Sequence, residues 1–515
     1  MARDLGRSLA GPRVALLVPL ALATSCLVGP NYRTPTADVA EAWLPSPAAS
    51  PAPLNALDAH WWKAFGDPVL DDLVEAAFQS NLSLQVAGVR VLQARAQLNS
   101  SVGNLFPQQQ GLGGAIQWEQ TNQPVTVNKA ADNLLFSVSW EPDVWGKIRR
   151  GIESDRATYL GTVASYDDVL VTTIADVAST YVNLRTAEER IRVARRNAET
   201  QRESLRVATV QWRNGEVSEL DVRQAETLLA QTEAQIPSLQ ASVRQARNAL
   251  AVLLGETPAA VDRRLAGPGA IPAAPSQATV GIPRDLLRRR PDVRGAGYAA
   301  ASQSALIGVA VASMYPSFSL AGAFGLASTN LGGSSLADLF TWQARAVQAG
   351  ASFFFPILNY GRLVNQVRVQ DAAFQGAVLN YQNVVLEAQR EVEDGLSVLA
   401  AAQEATATLG RASSAAARAT RLSLLRYKAG ETAYTTVITA EQSQLAVEDA
   451  LASSRGQAAL GLIAVYRALG GGWELRGDRD VVSDAVKAEM ARRTSWGDLL
   501  EISEHVPKDG PVEEP

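Results

Sequence analysis

Two proline-free segments of unusual length set the scale of this chain, Lys147 to Arg213 and Arg362 to Ala429. Both are rich in Ala, Gln, Glu, Arg, Leu and Val, and most of these residues favour helix. At a rise of 1.5 Å per residue, one helix of this length spans roughly 100 Å. An ordinary globular domain cannot house such a helix, so we expect these segments to pack side by side as a coiled bundle or tube.

Each long segment is followed by a turn and a returning helix. Asn214-Gly215 and Ala429-Gly430 are the predicted turns, because glycine accepts the left-handed conformation that ends a helix. Ser218 to Leu254 and Thr432 to Leu469 are predicted to return as helices, the former interrupted by Pro237. The product is a pair of very long helical hairpins.

The chain resembles itself at an offset of 215 positions, which indicates an internal repeat. The matching pairs include Gly146 and Gly361, Tyr166 and Tyr381, Gly215 and Gly430, Glu216 and Glu431, and Glu226 and Glu441. Each copy has the same predicted order: a helix, a strand pair and a helical hairpin. The first helices begin near Asp67-Pro68 and Pro291-Asp292, residue pairs that are typical of helix starts.

The strand pairs show a period of two. Leu112, Ile116 and Trp118 alternate with small or polar residues, and the same holds for a second group of Phe136, Val138 and Trp140 and a third of Phe318, Leu320, Phe324 and Leu326. This alternation is typical of transmembrane barrel strands, although a soluble amphipathic hairpin would share it. We expect lipid contacts at Trp118, Phe136, Trp140 and Phe324, and water contacts in a lumen at Gln117, Ser137 and Ser139. Two pairs supply four strands and a closed barrel needs about eight, so one protomer cannot form the pore.

The N-terminus has the layout of an export signal. Arg3, Arg7 and Arg13 precede the apolar run Val14 to Ala23, and Cys26 follows. Cys26 is the only cysteine, and Leu22 to Cys26 resembles a bacterial lipoprotein box in which this cysteine is acylated. An ordinary signal peptide with a chance cysteine is the alternative. No later apolar run is long enough for a transmembrane helix, so any later membrane span is expected to be β.

Charge and residue usage argue against other function classes. The formal net charge of −5 disfavours a nucleic-acid partner. His60, His505 and Cys26 are the only histidines and cysteine, so we expect neither an enzyme nor a metal site. His60 beside Trp61-Trp62 is interpreted as a packing or surface contact and not as a ligand, and Arg288 to Arg290 as a solvated helix start.

Several short motifs carry a family resemblance: Cys26 with Val28 to Tyr32, Phe65 to Pro68, Arg289 to Arg294, and the turns Trp212 to Gly215 and Tyr427 to Gly430. With these motifs the chain resembles outer-membrane efflux proteins of the TolC and OprM class, specifically the NodT-type lipoproteins. The resemblance implies a mixed α and β fold in which a homotrimer forms a 12-stranded membrane β-barrel continuous with a long α-helical periplasmic barrel.

The resemblance also implies function and partners. The protein is expected to be a lipid-anchored outer-membrane exit duct for small molecules or drugs, without a cofactor beyond the lipid on Cys26. Its expected partners are a periplasmic adaptor, an inner-membrane pump of the resistance-nodulation-division type, and outer-membrane lipid. A TolC-like duct for protein secretion and a structural coiled-coil lipoprotein are the alternatives.

Two further sites are predicted at the hairpin ends. The adaptor is expected to dock on the turns, at Arg213, Asn214, Gly215, Glu216, Lys428, Ala429, Gly430 and Glu431. Many relatives carry acids near the tunnel mouth, where this chain has Thr436 and Thr439, while Asp221 keeps an acid in the first repeat. These three residues are the predicted aperture.

The predicted domain organisation follows from the repeat. It comprises a signal peptide at 1–25, a lipid-anchored segment at 26–66, repeat 1 at 67–258, a linker at 259–289, repeat 2 at 290–473 and a C-terminal tail at 474–515. The tail is acidic and is expected to be disordered or draped on the midsection.

Overall fold

A computed structural model describes residues 27–44, 49–51, 59–122, 126–267, 269–275, 277–280, 288–330, 336–477 and 479–501. The predicted signal peptide, Cys26 and residues 502–515 lie outside this range. The chain forms two compact units. Within the described residues, the first comprises 27–32, Ser100–Ser154 and Gln303–Ala372, and the second comprises Arg33–Asn99, Asp155–Ser302 and 373–501.

The strands fall into two sheets. A short parallel pair joins β1 (Ala49–Pro51) to β4 (Ala278–Val280). The main sheet belongs to the first unit, and its order is β2-β3-β5-β6 with antiparallel neighbours throughout. Its strands are β2 (Gln109–Thr121), β3 (Val127–Trp140), β5 (Ser317–Thr329) and β6 (Arg345–Phe354). The predicted strand pairs are therefore present.

The predicted long helices are also present. Helix α3 is Lys147–Arg213 and helix α7 is Arg362–Lys428, so α7 ends one residue earlier than expected. Their partners are α4 (Glu219–Leu254) and α8 (Tyr434–Ala468). The predicted interruption at Pro237 is wrong, because α4 continues through it. Pro237 is exposed, so water can solvate the carbonyl that loses its helical hydrogen bond.

The shorter helices are α1 (Pro68–Ser80), α2 (Leu82–Gly103), α5 (Pro258–Arg264), α6 (Pro291–Ala312) and α9 (Asp484–Arg493). Helix α1 starts where Asp67-Pro68 predicts, and the Asp67 carboxylate accepts hydrogen bonds from the backbone N–H groups of Val69 and Leu70.

Helix α6 also starts at the predicted proline. Among the described helices it is the one that length and composition would allow to cross a membrane, with a mean hydropathy of 1.2. It packs along α3, since Thr158 Oγ1 and Ser302 Oγ lie 3.1 Å apart and Gly308 lies against the Arg150 side chain. These contacts favour a core helix.

Two interpretations of charged segments need correction. Arg290 is buried and not solvated, because it donates to the Ala468 carbonyl, to Asp292 and to Glu391. The described part of the tail is folded within the second unit, so disorder is wrong for it. Val481, Val482 and Met490 lie in the core of that unit, and Arg476 donates to the fully buried Asp167 at 2.9 Å.

Candidate functional site

The main sheet has two chemically different faces that stay in register across all four strands. Leu112 on β2 lies opposite Phe136 on β3, which lies opposite Phe324 on β5, which lies opposite Val347 on β6. These four side chains are 46 to 73% exposed in the single chain. Because side chains alternate across a strand, these large apolar groups all lie on one face of the sheet.

The opposite face is small and polar. Ser137 lies opposite Gly111 and Ala323, and Ser139 lies opposite Gln109 and Ala321. Gln117 belongs to the same face, opposite Ala131. The structure thus brings the three predicted lumen residues together on one face and places the predicted lipid-facing residues on the other, at Trp118, Phe136, Trp140 and Phe324.

Several residues depart from the simple pattern, among them Leu135 and Phe354 on the small polar face and Trp140 and Asp132 on the apolar one. Trp140 is only partly exposed, and its indole N–H donates to the Leu105 carbonyl at 3.2 Å. Asp132 lies on the apolar face between Ile116 and Ser328, yet it is buried. Asp132 was not predicted from the sequence, although an acid in the apolar phase of the alternation was the available signal.

The two hairpin turns in the second unit have the same backbone conformation. At the first, the Gly215 N–H donates to Trp212 O and the Glu216 N–H to Gln211 O, both at 2.9 Å. Gly430 and Glu431 repeat the pattern with distances of 3.0 and 2.9 Å. The φ angles of Gly215 and Gly430 are 77° and 73°, so both helices end in the predicted left-handed glycine cap.

The predicted docking side chains around these glycines are exposed, and several are engaged within the chain. Lys428 Nζ lies 3.2 Å from Glu203 Oε1, and Arg426 Nε lies 3.3 Å from Glu431 Oε2. The Arg206 and Lys428 cations hold the pKa of Glu203 well below its usual range, at about 2. Asn214 Nδ2 donates to Glu216 Oε1 at 3.4 Å. Arg213 and Ala429 are exposed as well.

A small buried cluster joins the two hairpins next to their turns. The first hairpin contributes Val207, Ala208, Val222 and Ala225, and the second contributes Tyr427, Tyr434 and Val437. The two tyrosine rings lie 4.9 Å apart, centroid to centroid. We call this group the tip cluster. Burial raises the pKa of both tyrosines, so both hydroxyls are neutral at physiological pH.

The predicted aperture residues lie beside the tip cluster. The Tyr427 hydroxyl donates to Asp221 Oδ2 at 3.2 Å and so ties the second hairpin to the first. Thr436 and Thr439 are exposed and line a cleft of about 530 Å³ with alanine and hydroxyl side chains. The structure therefore puts Asp221 at the joint between hairpins, and the two threonines on a neutral surface.

The role of four further residues at this joint was not predicted from the sequence. Tyr427, Tyr434, Ser204 and Glu441 are all buried. Glu441 accepts a hydrogen bond from the Ser204 hydroxyl, and burial raises its pKa to about 7. The available signal was the repeat, since Glu441 has an equivalent in Glu226 and Tyr427 in Trp212.

His60 is the one histidine within the described residues. Among the described residues, no group of three or more His, Cys, Asp and Glu side chains could hold a metal ion. The His60 ring packs edge-on against Trp62 with centroids 5.3 Å apart, as the sequence predicts.

The sequence profile of the outer membrane efflux protein family matches residues 73–256 and 282–471, which is well over half of the chain. The chain belongs to the outer membrane efflux protein family. This confirms the resemblance drawn from the short motifs, the mixed helical and strand fold class and the outer-membrane location.

Individual relatives agree with the family assignment. This outer membrane efflux protein is 28% identical over 460 residues to nodulation protein T of Rhizobium leguminosarum bv. viciae, covering 89% of this chain and 93% of the relative. It is 27% identical over 470 residues to the toluene efflux pump outer membrane protein TtgC of Pseudomonas putida, covering 89% and 95%. The solved structure of the outer-membrane channel OprN is similar with a TM-score of 0.82 and 34% identity, covering 87% of this chain and all of that one.

Proposed function

We propose that this outer membrane efflux protein is the exit duct of a tripartite efflux pump and that it passes small molecules passively as a homotrimer. The observation that carries the proposal is the in-register sheet with one large apolar face and one small polar face. Such a sheet suits a wall between lipid and a water-filled lumen. Membership of the efflux family supplies the transport function.

The edges of the sheet support the trimer. Strands β2 and β6 are its two edges, and each lacks a second neighbour among the described residues. An unpaired edge cannot be left in hydrocarbon, because its N–H and C=O groups have no partner there. Pairing β2 of one copy with β6 of the next removes every edge, and three copies give a closed barrel of twelve strands.

The hairpin turns are proposed as the docking end for the periplasmic adaptor. Helix α3 has 67 residues, roughly 100 Å of helix axis, and it ends at the first turn. That length suits a component that spans most of the periplasm to meet an adaptor and an inner-membrane pump. We propose a pump of the resistance-nodulation-division type, by the family resemblance.

The lipid anchor on Cys26 is proposed from the lipoprotein box and from its neighbours. The residues directly after it are held in the first unit by Arg150, which is buried. Arg150 donates to the carbonyls of Val28 at 3.1 Å and Gly29 at 3.2 Å, and to Asn31 Oδ1 at 2.8 Å. Radiolabelled palmitate should label the wild type and not Cys26→Ser. Equal labelling of both would contradict the anchor.

The barrel is tested by placing a charge on each face of the same strand. Phe136→Arg introduces a cation on the apolar face, which costs about 2–4 kcal/mol near the bilayer midplane. Ser137→Arg introduces it one residue away on the polar face. We expect the first variant to lower the yield of membrane-inserted trimer far more than the second, measured by heat-modifiable migration in detergent gels. Equal losses would mean that either the strand register or the barrel itself is misread, and the latter is what the coiled-coil lipoprotein alternative predicts.

Transport itself is tested in a Gram-negative strain that lacks its own outer-membrane exit duct. Expression with a matching adaptor and pump should restore export of a fluorescent efflux dye, and Ser137→Arg, which narrows the lumen, should reduce it. Restored secretion of a protein cargo without dye export would favour the secretion alternative.

A further inference from the structure

The two hairpins meet along helices α3 and α8, where polar side chains spaced seven residues apart on α3 contact acids on α8. Arg190 donates to Asp449 at 2.7 and 3.0 Å, and Asn197 donates to Glu448 at 2.9 Å. The next contact along α3 is the Ser204 hydroxyl, which donates to Glu441. A seven-residue spacing keeps such contacts on one seam between packed helices. We call this row the α3–α8 seam.

Glu441 differs from the other two acids of the seam. It is 2% exposed, its Oε1 accepts from the fully buried Ser204, and its Oε2 has no hydrogen-bond partner in the described part of the chain. Within that same part, Glu441 forms no ion pair. By contrast Asp449 is paired with Arg190, and Glu448 accepts from both Asn197 and Gln444. An ionised Glu441 would thus be a buried charge without a counter-ion, which is costly.

The groups around Glu441 do not supply that counter-ion. On α8 it faces Tyr434, which also interacts with Tyr427 of α7 and Asp221 of α4. On α3 it meets the neutral Ser204, and Gln201, one turn earlier, is buried with an unpartnered side-chain amide. Two neutral tyrosines and one further acid cannot stabilise a carboxylate. Burial raises the pKa of Glu441 to about 7, and the Ser204 hydrogen bond opposes this rise only partly.

We propose that Glu441 is a proton-binding site that regulates how firmly the two hairpins hold together next to their turns. With the proton bound, the seam is neutral and closed. Without it, the buried carboxylate favours separation of α3 from α8, because water then solvates the charge.

The direction of the pH dependence follows from linkage. In separated hairpins Glu441 is solvated and titrates near the ordinary glutamate pKa of about 4.3, whereas in the closed seam the value is raised. The free energy that Glu441 contributes to closure is therefore fully present at pH values below the ordinary glutamate pKa. It declines as the pH rises from this pKa to the raised pKa of about 7, and above that it no longer changes. The equilibrium constant for local opening should rise roughly tenfold between pH 6 and pH 8.

The consequence for transport rests on the proposed function. If the turns surround the mouth of the duct, a more alkaline periplasm loosens the mouth and a more acidic one closes it. The local opening itself can be measured without transport.

Hydrogen–deuterium exchange tests the inference on the full-length protein purified in detergent. Peptides containing Ser204 and Glu441 are followed from pH 6 to pH 8, with rates corrected for intrinsic chemical exchange. We expect a roughly tenfold increase in opening for the wild type, and no such increase for Glu441→Gln, which keeps the shape and removes the titration. The matched control is Glu226→Gln, the repeat-related acid, which is exposed and paired with Arg223. It should keep the wild-type response.

A second variant keeps the inference testable if Glu441→Gln folds poorly. Ser204→Ala removes the hydrogen bond that favours the charged form, so the rise in exchange should move to higher pH. A flat wild-type profile, or a Glu441→Gln profile as steep as the wild type, would overturn the inference. So would loss of the response in Glu226→Gln. Because adaptor, pump and cargo are absent, failure here leaves the proposed efflux function standing.

Discussion

The two hairpin turns have the same backbone conformation but different surroundings. Gly215 and Gly430 have nearly equal φ angles and the same two capping hydrogen bonds. Three residues before each glycine stands an aromatic side chain, and Trp212 is 41% exposed whereas Tyr427 is 2% exposed. The difference shows that a repeated sequence can specify the same turn twice and still assign opposite roles to equivalent side chains.

The same contrast extends along the returning helices. Glu226 follows Gly215 by as many residues as Glu441 follows Gly430, yet Glu226 is exposed and pairs with Arg223 at 2.9 Å while Glu441 is buried. The second turn therefore holds the tip cluster together. The first turn presents its aromatic group at the surface predicted to meet the adaptor.

The strongest test of this contrast is removal of each aromatic side chain. Tyr427→Ala should cost about 3–5 kcal/mol of local stability, as for other large buried side chains. Trp212→Ala should cost clearly less than Tyr427→Ala, because 41% of the Trp212 surface is already exposed whereas Tyr427 is 2% exposed. Hydrogen exchange of the segments around Val222 and Val437 measures both. Similar costs for the two variants would remove the proposed asymmetry.

A smaller effect is expected from the glycines, where the two turns should behave alike. Gly215→Val and Gly430→Val each force a β-branched residue into a left-handed conformation, at a cost of about 1–2 kcal/mol. A Cβ at either position meets no atom within 4 Å, so steric clash adds nothing. The readout is adaptor crosslinking and dye efflux, with trimer level checked by gel.

The double variant is the decisive member of this series. Normal trimer with lost crosslinking would support docking at the turns. Full efflux in the double variant would contradict it.

The hydrogen bond between Tyr427 and Asp221 should contribute less than the ring itself. Tyr427→Phe keeps the buried ring and removes the hydroxyl, so the expected loss is about 0.5–1.5 kcal/mol. The same exchange experiment reports it, with Asp221→Asn as the reciprocal variant. If Tyr427→Phe is as damaging as Tyr427→Ala, the joint depends on the hydrogen bond and not on packing.

The smallest effect is expected at the charges beside the turns. Lys428 forms an ion pair with Glu203 on the exposed surface, and exposed pairs of this kind are weak and screened by salt. Lys428→Gln should leave hydrogen exchange near the turn unchanged at physiological ionic strength. Arg213→Gln at the first turn is the matched variant. A reduction of adaptor crosslinking in either, without a change in exchange, would identify that charge as a docking contact.

Sequence-based prediction succeeded where the cause is local. The bounds of α3, the Asp67 cap and the two glycine turns depend on residues within a few positions of one another. Prediction failed where the cause is distant. Arg290 is buried because its acceptors include Ala468 and Glu391, more than a hundred residues away. The prediction at Pro237 failed for a different reason. A single proline on an exposed helix face does not end a helix that has buried residues both before and after it.

The alternation of side chains along the strands shows most clearly which features follow from the sequence and which depend on the tertiary structure. The period of two in β2, β3 and β5 separated large apolar from small polar side chains, because a pleated strand sends successive side chains to opposite faces. The sequence determined this much, together with the length of the helices and the position of both turns. Only the tertiary structure decided the register that aligns Leu112, Phe136, Phe324 and Val347 in one row. It also decided that Glu441 lies in a seam while Glu226 meets water, because burial depends on which helices pack together and not on the residues nearby in the chain.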